Sequence, residues 1–516
     1  MEKIDLIKIF LEHNFNVTAD ALDYLLQKNI SEESLKEGIK RIPQDIPVIN
    51  LIAVEKFLEP LDQPLQPIKE EIIGKDNKFI QKQVKEPSVP TIHSFPLHTT
   101  IKTDIPERTS DKPDISAFRQ LFRNRFDQLS NILKKNLNSS ETILKRNLPT
   151  EEIPQIKSGI LIGMVQDTRV LHTNKFVIQL EDPESEIITN CVMVQDSDSF
   201  PEYRDIIRDT IIGISGILPK NFRGGDITAF WGKDIIRPGF LPIKFKPTSD
   251  SRKILFIADI HFGSKYFSRS VFAKLIKFLT LKDLNPLYEN IASKVDSIII
   301  AGDLVDGIGH FSDQKDQISL HSLQTQYEHL ATFLMEIPTH IQIIVIPGEH
   351  DATLTALPQP AIDKKIAKSL LALPNLMSHG NPLRLSVENL NLLVFHGQGN
   401  YTFYQKQFQQ EQFNPILGIK HLLEYRHLCP EYGSFYPLAP FKKDYLVIDE
   451  IPEVVVSGHF HQAHYEEYKG VKIITCGTFQ RKHQKLSHIG NDVSIGIVPV
   501  LDTVSGNVDM IDLTIL

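Results

Sequence analysis

Between residues 254 and 500 the chain alternates short apolar runs with polar clusters. The runs are Ile254-Leu-Phe-Ile-Ala, Ile298-Ile-Ile-Ala, Ile341-Gln-Ile-Ile-Val-Ile-Pro, Leu392-Leu-Val-Phe and Val454-Val-Val-Ser. They are rich in Ile, Val and Leu and show almost no polar alternation, the pattern of strands buried on both faces. Segments with apolar residues at helical spacing, Val271–Leu279 and Leu323–Met335, separate them. Val471–Thr475 and Ile495–Val500 read as closing strands of a second sheet. The pattern predicts an α/β domain over 252–516 with two sheets packed face to face.

Upstream the pattern changes. Residues 156–247 carry five strand candidates: Gly159–Val165, Lys175–Leu180, Ile187–Val194, Thr210–Ile217 and Ile227–Ile236. A short helical piece at 203–208 falls between the third and fourth. That order predicts an OB-type barrel. Aromatics on its strands are few (Phe176, Phe230, Trp231), so a structural or interface role is favoured over strand binding. Residues 114–155 contain a helix with Phe118, Leu121, Phe122, Phe126, Leu129, Ile132 and Leu133 on one side. Arg119, Arg123, Arg125, Lys134 and Lys135 lie on the other side, read as a solvated face. Residues 46–113 are polar and broken by prolines, which predicts a flexible tether. Residues 1–45 read as three short amphipathic helices, with Leu35 and Ile39 inward on the third, forming a docking module. The expected class is multidomain α+β.

Composition narrows the context. At 516 residues the chain exceeds what one core supports. It has no apolar run long enough to span a bilayer and no signal-peptide pattern at Met1-Glu-Lys-Ile-Asp. Cys191, Cys429 and Cys476 are far apart, which argues for a reducing compartment and against a zinc ribbon. The expected location is cytoplasmic, with no membrane partner. A net charge of −8 gives no whole-chain basic signature, so contact with nucleic acid must be local or supplied by a partner.

The chemistry sits where the apolar runs stop. Asp259-Ile-His261, Gly302-Asp303-Leu-Val-Asp306, Gly348-Glu349-His350-Asp351, His396-Gly397 and Gly458-His459-Phe-His461 each follow one run. In helix-covered sheets, ligands bind at the carboxyl ends of strands. A mixed set of carboxylates and imidazoles suits Mn, Fe, Zn or Mg rather than a thiolate metal. The donors are too many for one tetrahedral ion. A metal pair bridged by one Asp accounts for them, as in two-metal phosphoester hydrolysis.

The five clusters resemble the calcineurin-like metallophosphoesterase pattern D-x-H, GD-x-x-D, GNH-[DE], H and GH-x-H. More of the chain is similar to one branch of that family, the small subunits of archaeal DNA polymerase II (the family D polymerase). Those stretches are Pro347-Gly-Glu-His-Asp-Ala with Leu357-Pro-Gln-Pro-Ala, Arg426–Gly433, Lys443–Asp449 and Gly477-Thr-Phe-Gln480. The resemblance covers about residues 115–516. It implies a 3′→5′ DNA exonuclease that releases nucleoside 5′-phosphates in a heterodimer with a large catalytic polymerase subunit. DNA would be its substrate, and a sliding clamp or primase a further partner. It implies two divalent ions, Mn²⁺ first and Mg²⁺, Fe or Zn as alternatives. On matching positions, Asp259, His261 and His461 would hold one ion, Asp303 would bridge, and His396 and His459 would hold the second. His350 would act as general acid or transition-state donor.

Two positions depart from the family pattern. Glu349 stands where the family has a metal-ligating Asn, adding a negative charge and one methylene. Gln398-Gly-Asn stands where Arg-Ser is usual, removing a cation expected to meet phosphate. Two other readings stay open at this point: a non-catalytic scaffold of the polymerase, and a stand-alone metallophosphoesterase.

Overall fold

The computed structural model describes residues 99–516 apart from 108–113, 138–141, 153–157, 172, 184–186, 197–204, 311–313, 404–413, 434 and 482–492. Of the earlier residues it describes Asn16–Val17, Leu35, Ile39 and Val48–Ile49. The chain divides into two compact units, Met1–Thr91 and Ile92–Leu516. In the first, β1 (Asn16–Val17) and β2 (Val48–Ile49) pair in parallel. Leu35 and Ile39 are helical and buried. The rest of the expected helical module, and the tether up to residue 98 apart from Val48–Ile49, lie outside the described residues; β2 is a short strand where the tether was expected.

The second unit begins with a departure from the expected tether, which was to run to residue 113. Thr99–Thr103 is a strand, β3. Its Thr-Thr-Ile-Lys-Thr sequence has the β-branched content that suits an edge. Helix α1 (Ile115–Asn136) follows, capped by Asp114, whose carboxylate accepts from the Ala117 amide at 2.8 Å. Leu121, Leu129 and Leu133 form its buried stripe.

Arg125 does not lie on a solvated face. It is fully buried, its Nε donating to Asp444 Oδ2 at 2.7 Å and its Nη1 to the Pro430 carbonyl. His427 Nε2 meets the same Asp444 oxygen at 3.0 Å. Helical period alone put Arg125 with the other cations; a carboxylate distant in sequence takes it inside. Asp444→Ala would leave a buried, unpaired guanidinium. It is expected to destabilise this unit by about 3–5 kcal/mol, read as a fall in the chemical-denaturation midpoint.

The same triad sets a pH response. Burial, then the nearby Arg125 charge, pushes His427 down to about 4. Burial opposes ionisation of Asp444, but Arg125 and His427 outweigh it and hold the carboxyl well below the usual range. Both groups bind fewer protons folded than unfolded. Their contribution is therefore present above the unfolded His value of about 6.5 and lost as pH falls toward 4 and below. The unfolding midpoint should drop across that window, and His427→Gln should flatten the upper part of the slope.

Next come β4 (Asn147–Leu148), β5 (Ser158–Val170), β6 (Lys175–Glu181), β7 (Thr189–Asp196), β8 (Ile211–Ile217), β9 (Gly225–Asp226) and β10 (Ala229–Ile236). β4 and β9 form a short ribbon. The other five close a barrel in the order β10-β7-β6-β5-β8. β10 and β7 are parallel; the remaining neighbours are antiparallel. β5 runs past the predicted Val165 because closure needs both its halves: Ser158–Met164 pairs with β8 and Met164–Val170 with β6. Of the helical piece expected at 203–208, residues 205–208 are described; Asp205 is in a 3₁₀ turn and 206–208 are not helical.

The last part contains β11 (Lys253–Ile257), α2 (Arg269–Leu279), α3 (Pro286–Ala292), β12 (Val295–Ala301), α4 (Leu323–Leu334), β13 (Gln342–Ile346) and β14 (Leu376–Ser378). It continues with β15 (Leu383–Val387), β16 (Leu390–Val394), α5 (Pro415–Tyr425), β17 (Val454–Ser457), β18 (His464–Tyr468), β19 (Val471–Thr475), β20 (Ile497–Asp502) and β21 (Val508–Asp512). One six-stranded sheet has the order β14-β13-β12-β11-β20-β21, the other β18-β19-β17-β16-β15-β3. Strands β11 to β14 are mutually parallel, as are β16, β17 and β19.

The unbroken apolar runs are explained by burial on both faces. Ile254, Phe256, Ile299 and Ile344 turn toward Leu385, Leu392, Val394 and Val456 of the second sheet. Leu255, Ile257, Ile298 and Ile343 turn the other way, onto Phe272, Leu275, Tyr327 and Leu330 of α2 and α4. Each such side chain contributes roughly 1.5–3 kcal/mol by leaving water. On the far face of the second sheet, Ile416, Ile419, Leu422 and Leu423 of α5 share a core with Val455, Ile473 and barrel residues such as Leu161 and Ile178. Helix α5 is thus a structural wedge that fixes the barrel to the two-sheet domain. The three cysteines are buried free thiols. Among the described residues, no helix is long and apolar enough to cross a membrane.

Candidate metal centre

Asp259 follows β11, Asp303 follows β12, Glu349 and His350 follow β13, His396 follows β16, and His459 and His461 follow β17. With His261 these are the eight residues singled out from sequence, and the structure brings all eight together. The loops need unusual backbone. Asp259, His261, Asp303, His459 and His461 all have positive φ, between 49° and 74°. Left-handed backbone in non-glycine residues is uncommon and concentrates at functional sites. Close approach also demands glycine. A Cβ on Gly348 would lie 2.2 Å from Asp303 Oδ1, and one on Gly302, at φ +93°, would lie 2.5 Å from His396 Nδ1.

Six of the residues sort into two groups. Asp259, His261 and His461 form one; Glu349, His396 and His459 form the other, with donor atoms in each within 4.8 Å of one another. In the first, His261 Nε2 faces His461 Nε2 at 3.1 Å, and Asp259 Oδ1 lies 3.5 Å from His461 Nε2. In the second, Glu349 reaches both imidazoles, Oε2 to His396 Nε2 at 2.9 Å and Oε1 to His459 Nδ1 at 2.8 Å. Asp303 Oδ2 lies between the groups, 3.3 Å from His396 Nε2 and 3.8 Å from His261 Nε2. Its Oδ1 accepts the His350 amide at 2.9 Å. The His350 ring is held by Nδ1 on the Asp306 carbonyl at 2.6 Å, leaving Nε2 toward Asp303 at 4.0 Å.

The charge balance suits cations. Burial opposes a charged His261, yet Asp306, Asp303 and Asp259 outweigh it and raise its pKa to about 9. Burial likewise opposes charge on His396, but Asp303 and Glu349 push it well above its usual value. Burial would raise Glu349, but His459 and His396 hold it well below the ordinary carboxyl range. Asp259 Oδ1 is buried without a hydrogen-bond partner. Buried carboxylates need positive charge beside them. A carboxylate and imidazole donor set of this kind suits divalent metals, so the residues fit the ions that the sequence implied.

Four supporting residues were not singled out as site residues. Asp306 Oδ1 meets His261 Nδ1 at 3.2 Å and so turns Nε2 toward the cluster. Gln480 Nε2 donates to the same Asp306 oxygen at 3.1 Å. Asp351 ties two loops, accepting from the Gly348 and Leu304 amides at 2.9 and 3.2 Å and from Tyr327 Oη at 2.9 Å. Burial, then the Asp303 charge, raises its pKa to about 6. Tyr436 Oη lies 3.1 Å from His459 Nε2 and 3.4 Å from Glu349 Oε1. Asp306, Asp351 and Gln480 stand inside the motifs already quoted, which was their signal; Tyr436 had none. Gln398, at the position where a phosphate-binding cation was missed, faces inward. It is fully buried, donating to Gln359 Oε1 at 3.1 Å and accepting from Asn381 Nδ2 at 3.2 Å. Asn381 Oδ1 in turn accepts the His396 amide at 3.1 Å.

The family model for the B subunits of DNA polymerases alpha and epsilon matches residues 254–467. The DNA polymerase II small subunit of Methanothermobacter thermautotrophicus is 33% identical over 403 residues, covering 78% of this chain and 80% of that one. The DNA polymerase II small subunit of Methanocaldococcus jannaschii is 32% identical over 404 residues, covering 78% of this chain and 66% of that one. A solved archaeal phosphodiesterase is similar over 50% of this chain and 98% of its own, at 12% identity and a TM-score of 0.26.

Proposed function

The chain belongs to the family of archaeal DNA polymerase II small subunits, and on that premise we propose that it hydrolyses DNA 3′→5′, releasing nucleoside 5′-phosphates. One observation carries the reading: two groups of metal-type donors meet at the carboxyl ends of parallel strands, with Asp303 Oδ2 between them, near His396 of one and His261 of the other. Asp259, His261 and His461 would hold one divalent ion, and Glu349, His396 and His459 the other, with Asp303 between. Such a pair, Mn²⁺ first, supplies Lewis acidity and a nucleophile at neutral pH.

The chain's own residues do the rest. Asp306 keeps the Nδ1 proton on His261, so that Nε2 offers a lone pair. The Asp306 carbonyl does the same for His350, whose Nε2 is then free to carry a proton to the leaving 3′-oxygen. Gln480 and Asp351 hold the two loops at the spacing that this needs. The barrel, which we take as OB-type, and the α5 wedge keep a structural or interface role. A large polymerase subunit is the proposed partner, in the cytoplasm, with DNA as substrate and a clamp or primase as further contacts.

Glu349 favours a second reading, a non-hydrolysing scaffold. Its carboxylate already bridges His396 and His459 and repels an approaching phosphate. Two measurements on the full chain separate the readings: loss of a 3′-labelled single strand with Mn²⁺, and metal content per chain. The expected result is stepwise shortening that EDTA abolishes, with two ions bound. Glu349→Asn should raise the rate several-fold and lower Mn²⁺ affinity, because one negative charge leaves the site. Full metal occupancy without hydrolysis in either protein would leave the scaffold.

A further inference from the structure

Beside the second donor group the protein presents an aromatic cluster that the hydrolytic residues do not use. Tyr436 links the two. Its hydroxyl reaches His459 and Glu349, and its ring stands nearly perpendicular to the His459 ring, centroids 5.6 Å apart. Phe435 follows, 5.4 Å from Tyr436 at 65°. Tyr401, five residues after His396, backs Phe435 at 4.4 Å with the rings tilted by 35°. It meets Tyr436 edge-on at 6.2 Å.

Phe435 is 61% exposed, whereas Tyr401 and Tyr436 are half-buried. An apolar ring held open by two others, next to a cluster of charged groups, gains nothing for the fold from its exposure. A flat ligand would cover it. Stacking on aromatic rings is how proteins hold unpaired bases without reading sequence.

We propose that Phe435, backed by Tyr401 and Tyr436, is a stacking platform for the unpaired terminal nucleobase whose phosphodiester lies at the carboxylate and imidazole cluster. The proposal rests on the site acting on DNA, and it adds how the substrate end is recognised. The base lies on Phe435 and the backbone turns past Tyr436 toward Asp303. Any of the four bases suffices, because each offers a π face, but an abasic terminus does not.

The test uses the full chain and two 5′-fluorescein single strands, one ending in deoxyadenosine and one in a tetrahydrofuran abasic residue. Binding is read by anisotropy in EDTA, and hydrolysis by gel in Mn²⁺, for wild type, Phe435→Ala and Phe435→Trp. Wild type should bind and cut the natural end on the order of 5- to 100-fold better than the abasic end. Phe435→Ala should lose that advantage and leave the abasic strand unaffected; Phe435→Trp should keep it. A wild-type preference near one, or an equal loss on both strands in Phe435→Ala, overturns the platform. The second outcome would make the ring a structural element or a protein-docking one. Wild-type binding preference without hydrolysis of either strand would retain the platform and sink the exonuclease reading, so the two failures are distinguishable.

Discussion

Alanine at His350 is expected to slow 3′→5′ hydrolysis by about 10²- to 10⁴-fold, the usual contribution of a positioned proton donor. Its backbone amide still reaches Asp303 in the variant, and its side chain is hydrogen-bonded to the Asp306 carbonyl and packs against the His261 and His310 rings. Metal content and the unfolding midpoint should therefore stay near wild type while kcat falls. A strand with a better leaving group at the scissile bond should recover part of the loss, because less protonation is then required. If kcat is unchanged and metal is bound, His350 is not the donor. If metal is lost in parallel with rate, His350 acts as a ligand and the assignment of roles must be redrawn.

Asp303→Asn is expected to have the other large effect, on metal occupancy itself. Asp303 stands between the two donor groups, facing His396 and His261 through one oxygen. Groups that merely orient a ligand cost about 10- to 100-fold in affinity when removed, so a shared ligand should cost at least 10²-fold. Asparagine keeps the size and the acceptor for the His350 amide, which separates loss of charge from loss of loop geometry. Mn²⁺ binding followed by calorimetry should fall from two ions to one or none per chain. Retention of both ions at wild-type affinity would refute the shared position, whatever the hydrolytic rate.

Much of the site was legible because it is local. Each polar cluster follows a strand whose apolar run announces it. The spacing inside Asp259-Ile-His261 or Gly458-His459-Phe-His461 is fixed by one tight turn. The five left-handed residues belong to these turns, and the sequence marks them only as short polar breaks. Glu349 was visible as a departure, but its reach to two imidazoles at once was not. That depends on β13, β16 and the loop after β17 arriving at one place.

By itself the sequence placed the apolar runs that become β11, β12, β13, β16, β17, β19 and β20, the five strand candidates of the barrel, and the polar clusters that follow the runs; β3, β14, β15, β18 and β21 were not among them. These follow from periodicity and from the burial of apolar surface, which every few residues declare on their own. The tertiary structure alone decided which polar groups pair. Arg125 is bonded to a carboxylate 319 residues away, so its helical period could only suggest solvent. Thr99–Thr103 became an edge strand because Leu383–Val387 offered a free side. Tyr436, between α5 and β17 in the chain, reached His459 and Glu349 only through the fold. A buried charge or an open ring takes its meaning from a partner, and no local pattern encodes where that partner will be.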